Sequence, residues 1–117
     1  MDYVPFIYSA VVEKVHDADS IEIGISLGFD IILKGVKLRL NRINAPELNT
    51  VEGKISTEFL KEKLPIGTKI IVQTIKDKQE KYGRYLAEIF LDHENINDLL
   101  ISTGKAKAWD GKGVRPV

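Results

Sequence analysis

The chain has no cysteine. Disulfide staples, thiolate metal sites and cysteine nucleophiles are therefore excluded, although the compartment is not fixed by that absence. Excess charge is missing too: 17 Lys and Arg stand against 17 Asp and Glu, a formal net charge of zero. A strong non-specific nucleic-acid binder would carry a basic surplus, so any basic groove here must be local. No apolar run approaches the roughly 20 residues that cross a bilayer, and no membrane association is expected. The start, Met1-Asp-Tyr-Val-Pro-Phe, lacks the basic head and apolar stretch of a secretory signal. A cytoplasmic protein is expected if Met1 is the native start; a trimmed start would leave a secreted or phage-associated protein open. No serine triad, zinc cluster or phosphate loop has a supporting motif. His16 and His93 lack ligand spacing and are expected at the core edge and in a turn.

What is present suits a single domain. A chain of 117 residues, 44% hydrophobic and 29% charged, can build one core and not two, so one unit over residues 1–117 and a monomer are expected. Strands are expected over Tyr8–His16 and Ser20–Ile25, the second with Ile21, Ile23 and Ile25 on one face. After the loop Ser26–Asp30 and a Lys34-Gly35 turn, Val36, Leu38 and Leu40 alternate with Lys37, Arg39 and Asn41. The alternation fails at Arg42-Ile43, which predicts a bulge or strand end. A helix is expected over Ile55–Leu64, with Ile55, Phe59, Leu60 and Leu64 inward and Pro65 and Gly67 ending it. Strands follow at Thr68–Ile75 and Tyr85–Leu91, around a polar turn at Lys76–Lys81. A second helix runs from an Asn95 cap to a Gly104 stop. The tail, residues 110–117, is glycine-rich, basic and expected to be loose. Five strands with a helix between the third and fourth and another after the fifth suit a small closed barrel of the OB type, mainly β with two short helices.

Three short motifs carry the chemistry. Asp17-Ala18-Asp19-Ser20 sets two carboxylates two residues apart, on one side of an extended chain, as a hard cation requires. Alone, it is equally good turn chemistry. Arg39 lies on the polar side of its strand, free to grip a phosphate bidentately or to form a cross-strand ion pair of small value. Pro46 holds Ala45 extended and directs Glu47, a general base for water or simply a loop acid. Lys81-Tyr82-Gly83-Arg84 adds a second arginine in a glycine turn. Phosphodiester chemistry needs this inventory, because a charged phosphate must be neutralised while water is activated.

In this order, the motifs resemble those of the staphylococcal (micrococcal, or thermonuclease) nuclease family: an Asp-Gly-Asp-Thr turn, an Arg-Leu strand ending in Asp-Thr/Ala-Pro-Glu, and a Lys-Tyr-Gly-Arg turn. The resemblance covers roughly residues 8–109. It implies an OB-fold, calcium-dependent endonuclease that hydrolyses DNA and RNA with low sequence specificity and leaves 3′-phosphates. By position, it makes Asp19, Asn44 and the carbonyl of Ala45 metal ligands, with Asp17 behind them. Glu47 becomes the general base, Arg39 and Arg84 the phosphate-binding arginines, and Lys81 and Tyr82 neighbours of the nucleotide's 5′-phosphate. Asn44 departs from the usual ligand carboxylate, keeping an oxygen donor but removing a charge. Metal affinity should fall, and Mg²⁺ or Mn²⁺ becomes an alternative to Ca²⁺. Ala18 for glycine and Ser20 for threonine are milder departures. Trp109 lies near the family's nucleotide-stacking tyrosines but is expected to plug the barrel's edge. The alternative to an enzyme is a non-catalytic OB module that holds nucleic acid or a protein. Such copies usually lose the arginines or the glutamate, and this chain keeps all three.

Overall fold

The computed structural model describes residues 6–79 and 83–109. β1 (Ile7–Asp17) turns back at Ala18-Asp19 into β2 (Ser20–Ser26), which sets Val15 opposite Ile21 and Val12 opposite Ile23. β3 (Ile32–Leu40) runs antiparallel to β2, with Leu38 opposite Ile21. Ile21, Ile23, Leu38 and Leu40 are wholly buried. Each such side chain is worth about 1.5–3 kcal/mol of transfer free energy, so the alternation of these strands supplies much of the core.

The expected Lys34-Gly35 turn is a bulge inside β3. Ile23 faces Val36 and Ile25 faces Leu33, so Lys34 and Gly35 together oppose Gly24. Gly35 takes φ +72, which a glycine adopts without strain, and its N–H donates to Glu13 at 2.9 Å. The failed alternation at Arg42-Ile43 is a strand end: Asn41-Arg42 turn the chain into a two-residue strand, β4 (Ile43–Asn44).

The first helix starts earlier than its apolar spacing predicts. α1 spans Val51–Lys63 and is capped by Thr50, whose hydroxyl accepts from Gly53 N–H. Its buried side is Gly53, Ser56, Thr57 and Leu60, and Ile55 is exposed rather than inward. Small residues let the helix lie close, and this displaced the face that Ile55 would have shared. β5 (Lys69–Gln79) stays a strand over residues 76–79 of the expected polar turn, whose last two residues lie outside the described ones, and pairs with β1 and with β6 (Tyr85–Leu91). β6 also pairs in parallel with the end of β3, Leu38 beside Tyr85 and Leu40 beside Ala87. That pairing closes a five-stranded barrel with two helices, as the element order implies.

A short β7 (Glu94–Asn95) leads into α2 (Ile96–Ser102), capped by Asn95 as expected, and β8 (Lys107–Ala108) pairs with β4. Asn97 at the start of α2 is fully buried; it accepts from Ile89 N–H and donates to Asn41 and Ala87 carbonyls. It thus ties the helix to β6 and to the turn that follows β3. Among the described residues no helix is long and apolar enough to cross a membrane. Asn97→Ala would leave the buried Ile89 N–H and the part-buried Asn41 carbonyl without this partner, at a cost of about 3 kcal/mol. A melting temperature lower by about 10–20 °C is expected, measured by calorimetry.

Candidate active site

The β1–β2 turn is built around its own acids. Asp17 Oδ1 accepts the N–H of Asp19 at 3.1 Å, and Ala18 between them is buried, which fixes the turn. Asp19 then bridges two segments. Its carbonyl accepts from Leu40 N–H at 2.8 Å, and its Oδ2 accepts from Ala45 N–H at 3.0 Å. The hairpin therefore holds the end of β3 and the Asn44-Ala45-Pro46-Glu47 turn at one place. Arg39 sits opposite Ser20 in the β2–β3 pair and is drawn into the same place. Its guanidinium donates to the carbonyls of Leu40 (3.0 Å) and Ile43 (3.1 Å) and lies 3.9 Å from Asp19 Oδ2. A guanidinium has five N–H donors, so others remain for an anion. Trp109, expected as an edge plug, packs over Arg39, its ring centre 5.6 Å from Cζ, within cation–π range.

The turn that brings Ile43 and Ala45 back to Arg39 and Asp19 is strained. Arg42 has φ +68, which costs a non-glycine residue about 1–2 kcal/mol. Its side chain offsets that cost. The guanidinium pairs with Glu88 at 2.6 and 3.1 Å and with Asp98 at 2.7 Å, which raises its pKa further. The N–H of Trp109 also donates to the Arg42 carbonyl at 2.8 Å.

Burial, first, and the neighbouring Asp19 push the Asp17 carboxyl up from 3.8 to about 7; the charge of Arg84 opposes that rise. Since the folded value is the higher one, the protonated carboxyl favours folding. That contribution is whole below the ordinary value and fades as pH rises through about 7. A cation beside these acids would reverse the preference. Arg84 is half-buried just before Tyr85, where the parallel β3–β6 pairing begins, and its charge reaches Asp17. Lys81 and Tyr82 lie outside the described residues.

Glu47 is exposed at the end of the Asn44–Glu47 turn. Its carbonyl accepts from Thr50 N–H (3.0 Å) and Thr50 Oγ1 (2.6 Å), so the helix cap also pins the base candidate. Gly53 makes this possible: a Cβ there would fall 1.8 Å from the Glu47 carbonyl oxygen. Sequence reasoning missed Gly53; the one available signal was Thr50, a preferred N-cap residue type. It also missed Lys107, set opposite Asn44 in the β4–β8 pair.

Asp19 and Asn44 are buried, and their side-chain oxygens with the Ala45 carbonyl would supply an oxygen-only donor set. Such a set fits Ca²⁺, Mg²⁺ or Mn²⁺ and not a metal that prefers thiolate or imidazole. Among the described residues no group of three or more His, Cys, Asp or Glu could hold a metal ion, so the site is lightly charged. Asn44, Ala45 and Glu47 line a cleft of about 780 Å³ between their turn, the start of α1 and residues 104–107, and Asp19 and Arg39 do not line it. A second concavity of about 710 Å³, around Val11, Gly24, Ile71 and Phe90, contains none of the predicted site residues. His16 pairs with Glu22 at 3.2 Å and His93 occupies a turn, as expected.

A closed OB-type barrel with two arginines and a buried acid at one rim defines a class: a small barrel with a candidate anion-and-cation site. The family described as staphylococcal nuclease homologues matches residues 37–114, more than half of this sequence, and the chain belongs to that family. Two relatives, each named an uncharacterized endonuclease, from Escherichia coli O157:H7 and Escherichia coli, are 31% identical over 107 residues, 91% of this chain. Endonuclease YhcR of Bacillus subtilis is 27% identical over 114 residues, 87% of this chain. The chain spans 64% of the length of the Escherichia coli relatives and 9% of YhcR.

Gly53→Ala tests the seat of Glu47. The added methyl must displace the Glu47 carbonyl, so a loss of about 2–4 kcal/mol in stability is expected by denaturant melts. Backbone NMR shifts should move at residues 46–50 and stay in place in β1 and β2.

Proposed function

We propose that this domain is a metal-dependent endonuclease, a phosphodiester hydrolase acting on DNA and RNA with little sequence preference. One observation carries the reading: Asp19 Oδ2, the Arg39 guanidinium and the N–H of Ala45 meet at one point, two residues from Glu47. Family membership and the endonuclease names of the relatives support it.

Arg39 binds the scissile phosphate through the N–H groups that its carbonyl contacts leave over, and Arg84 approaches from the neighbouring strand. These cations gain energy as charge builds on the phosphate oxygens in the transition state. Asp19, Asn44 and the Ala45 carbonyl would hold the cation, with Asp17 orienting Asp19 through its N–H. Ca²⁺ is the first choice, with Mg²⁺ or Mn²⁺ as alternatives because Asn44 is neutral; the bound ion would supply Lewis-acid polarisation. Glu47 takes a proton from the attacking water; the P–O5′ bond breaks, the 5′-oxygen leaves and takes up a proton from solvent, and the phosphate stays on the 3′-oxygen. Lys81 and Tyr82 extend the grip along the nucleotide. No motif of the sequence resembles a base-reading element, so low specificity is expected.

Cleavage of single-stranded DNA with Ca²⁺, Mg²⁺, Mn²⁺ or chelator tests this directly. Metal-dependent cutting is expected, with Glu47→Gln slower by about 10²–10⁴. Salt-sensitive binding without cutting under any ion would make the domain a binding module instead.

A further inference from the structure

The cleft beside Glu47 has a chemistry of its own. One wall is Asn44 to Glu47, the reacting turn; the other is the start of α1 with residues 104–107. The floor is apolar: Ala45 and Ala106 are buried, Pro46 is half-buried, and Ile55 projects into the cleft while 55% exposed. Two lysines border it, and they differ. Lys105 is occupied, its ammonium 5.0 Å from the centre of the Phe59 ring and 3.5 Å from the Thr103 carbonyl. Lys107 is exposed, and no hydrogen bond or ion pair of its ammonium is found among the described residues. It stands directly across from Asn44, so one two-stranded ribbon carries the reacting turn on one side and an unengaged cation on the other.

We infer that this cleft is a subsite for a nucleotide adjoining the scissile phosphate on a single strand, with Lys107 pairing to a backbone phosphate and Ile55 covering the sugar and base. The inference rests on the nuclease reading, because an endonuclease substrate must leave the reacting phosphate in both directions. At about 780 Å³ the cleft is in the size class that encloses a small ligand, enough for one strand's nucleotide and too confined for a base-paired stack. Glu52, in the first turn of α1, also lines it. Its charge repels phosphate from the helix wall, so the backbone follows the Lys107 wall and the apolar edge of the nucleotide faces Ile55.

Two exposed positions test the subsite, Lys107→Ala and Ile55→Asp, each checked for an unaltered melting temperature. Cleavage is measured on a short thymidylate oligonucleotide and on bis(4-nitrophenyl) phosphate, which reaches only the reacting residues. In both variants the ratio of kcat/KM on the oligonucleotide to that on the small diester should fall about ten-fold, mainly through KM. Lys107→Ala should also reduce the slope of log KM against log salt by about one contact. Unchanged ratios and salt slope would overturn the subsite while leaving the nuclease reading intact. If the wild type cleaves neither substrate, that reading fails, and fluorescence polarisation of the labelled oligonucleotide decides. Weaker binding by about ten-fold in both variants supports the subsite, and equal binding overturns it.

Discussion

The hydrogen bond from Ala45 N–H to Asp19 Oδ2 is the constraint on which the site depends. It joins segments 26 residues apart, and one end is a carboxylate taken largely out of water. A charge-assisted bond in such surroundings is stronger than a neutral one and costly to leave unmade. The rest follows from holding it. The chain must reverse after Leu40, which puts Arg42 into a left-handed conformation and makes the Glu88 and Asp98 pairs useful rather than ornamental. The same reversal returns the Ile43 carbonyl to Arg39, and the orientation of that guanidinium is then set by the backbone.

Barrel and helix contribute differently. The closing β3–β6 pair holds Arg39 and begins one residue after Arg84, with Asn97 tying α2 to β6. The helix cap at Thr50 and the missing side chain at Gly53 let α1 begin hard against the Glu47 carbonyl. Arg39 therefore sits on a barrel strand and Arg84 at the entry to another, while the base candidate sits on a loop seated by a helix end. That division leaves Glu47 accessible and Arg39 held by backbone carbonyls, the distribution the proposed reaction would need.

Much of this was legible in the chain. Ile21, Ile23, Ile25, Leu38 and Leu40 announce half-buried strands by alternation, and the OB-type barrel follows from element order. Arg39, Asp19 and the Asn44–Glu47 turn were identified as chemistry-bearing residues, and they do come together. The start of α1 was not legible from apolar spacing, because its buried face is glycine, serine and threonine, and the exposed Ile55 imitated a core position. Lys34-Gly35 read as a turn, since a strand bulge uses the same glycine chemistry. Lys107 could not be found, because its neighbour Asn44 is distant in sequence and the β4–β8 pair is only two residues long. Asn97 looked like an ordinary polar helix residue; only the closed barrel gives it three backbone partners.

The central claim is that Asp19, Asn44 and Ala45 form one oxygen site for a cation beside Arg39. Trp109 is the only tryptophan and packs on Arg39, so its fluorescence reports on that site without a label. The most direct measurement is a Ca²⁺ titration of Trp109 emission in the wild type and in Asp19→Asn, repeated with thymidine 5′-monophosphate present. The account predicts a saturable change in the wild type, tightened by the nucleotide and weakened at least ten-fold by the substitution. Identical titrations of the two proteins, or no response to Ca²⁺ with or without nucleotide, would contradict it.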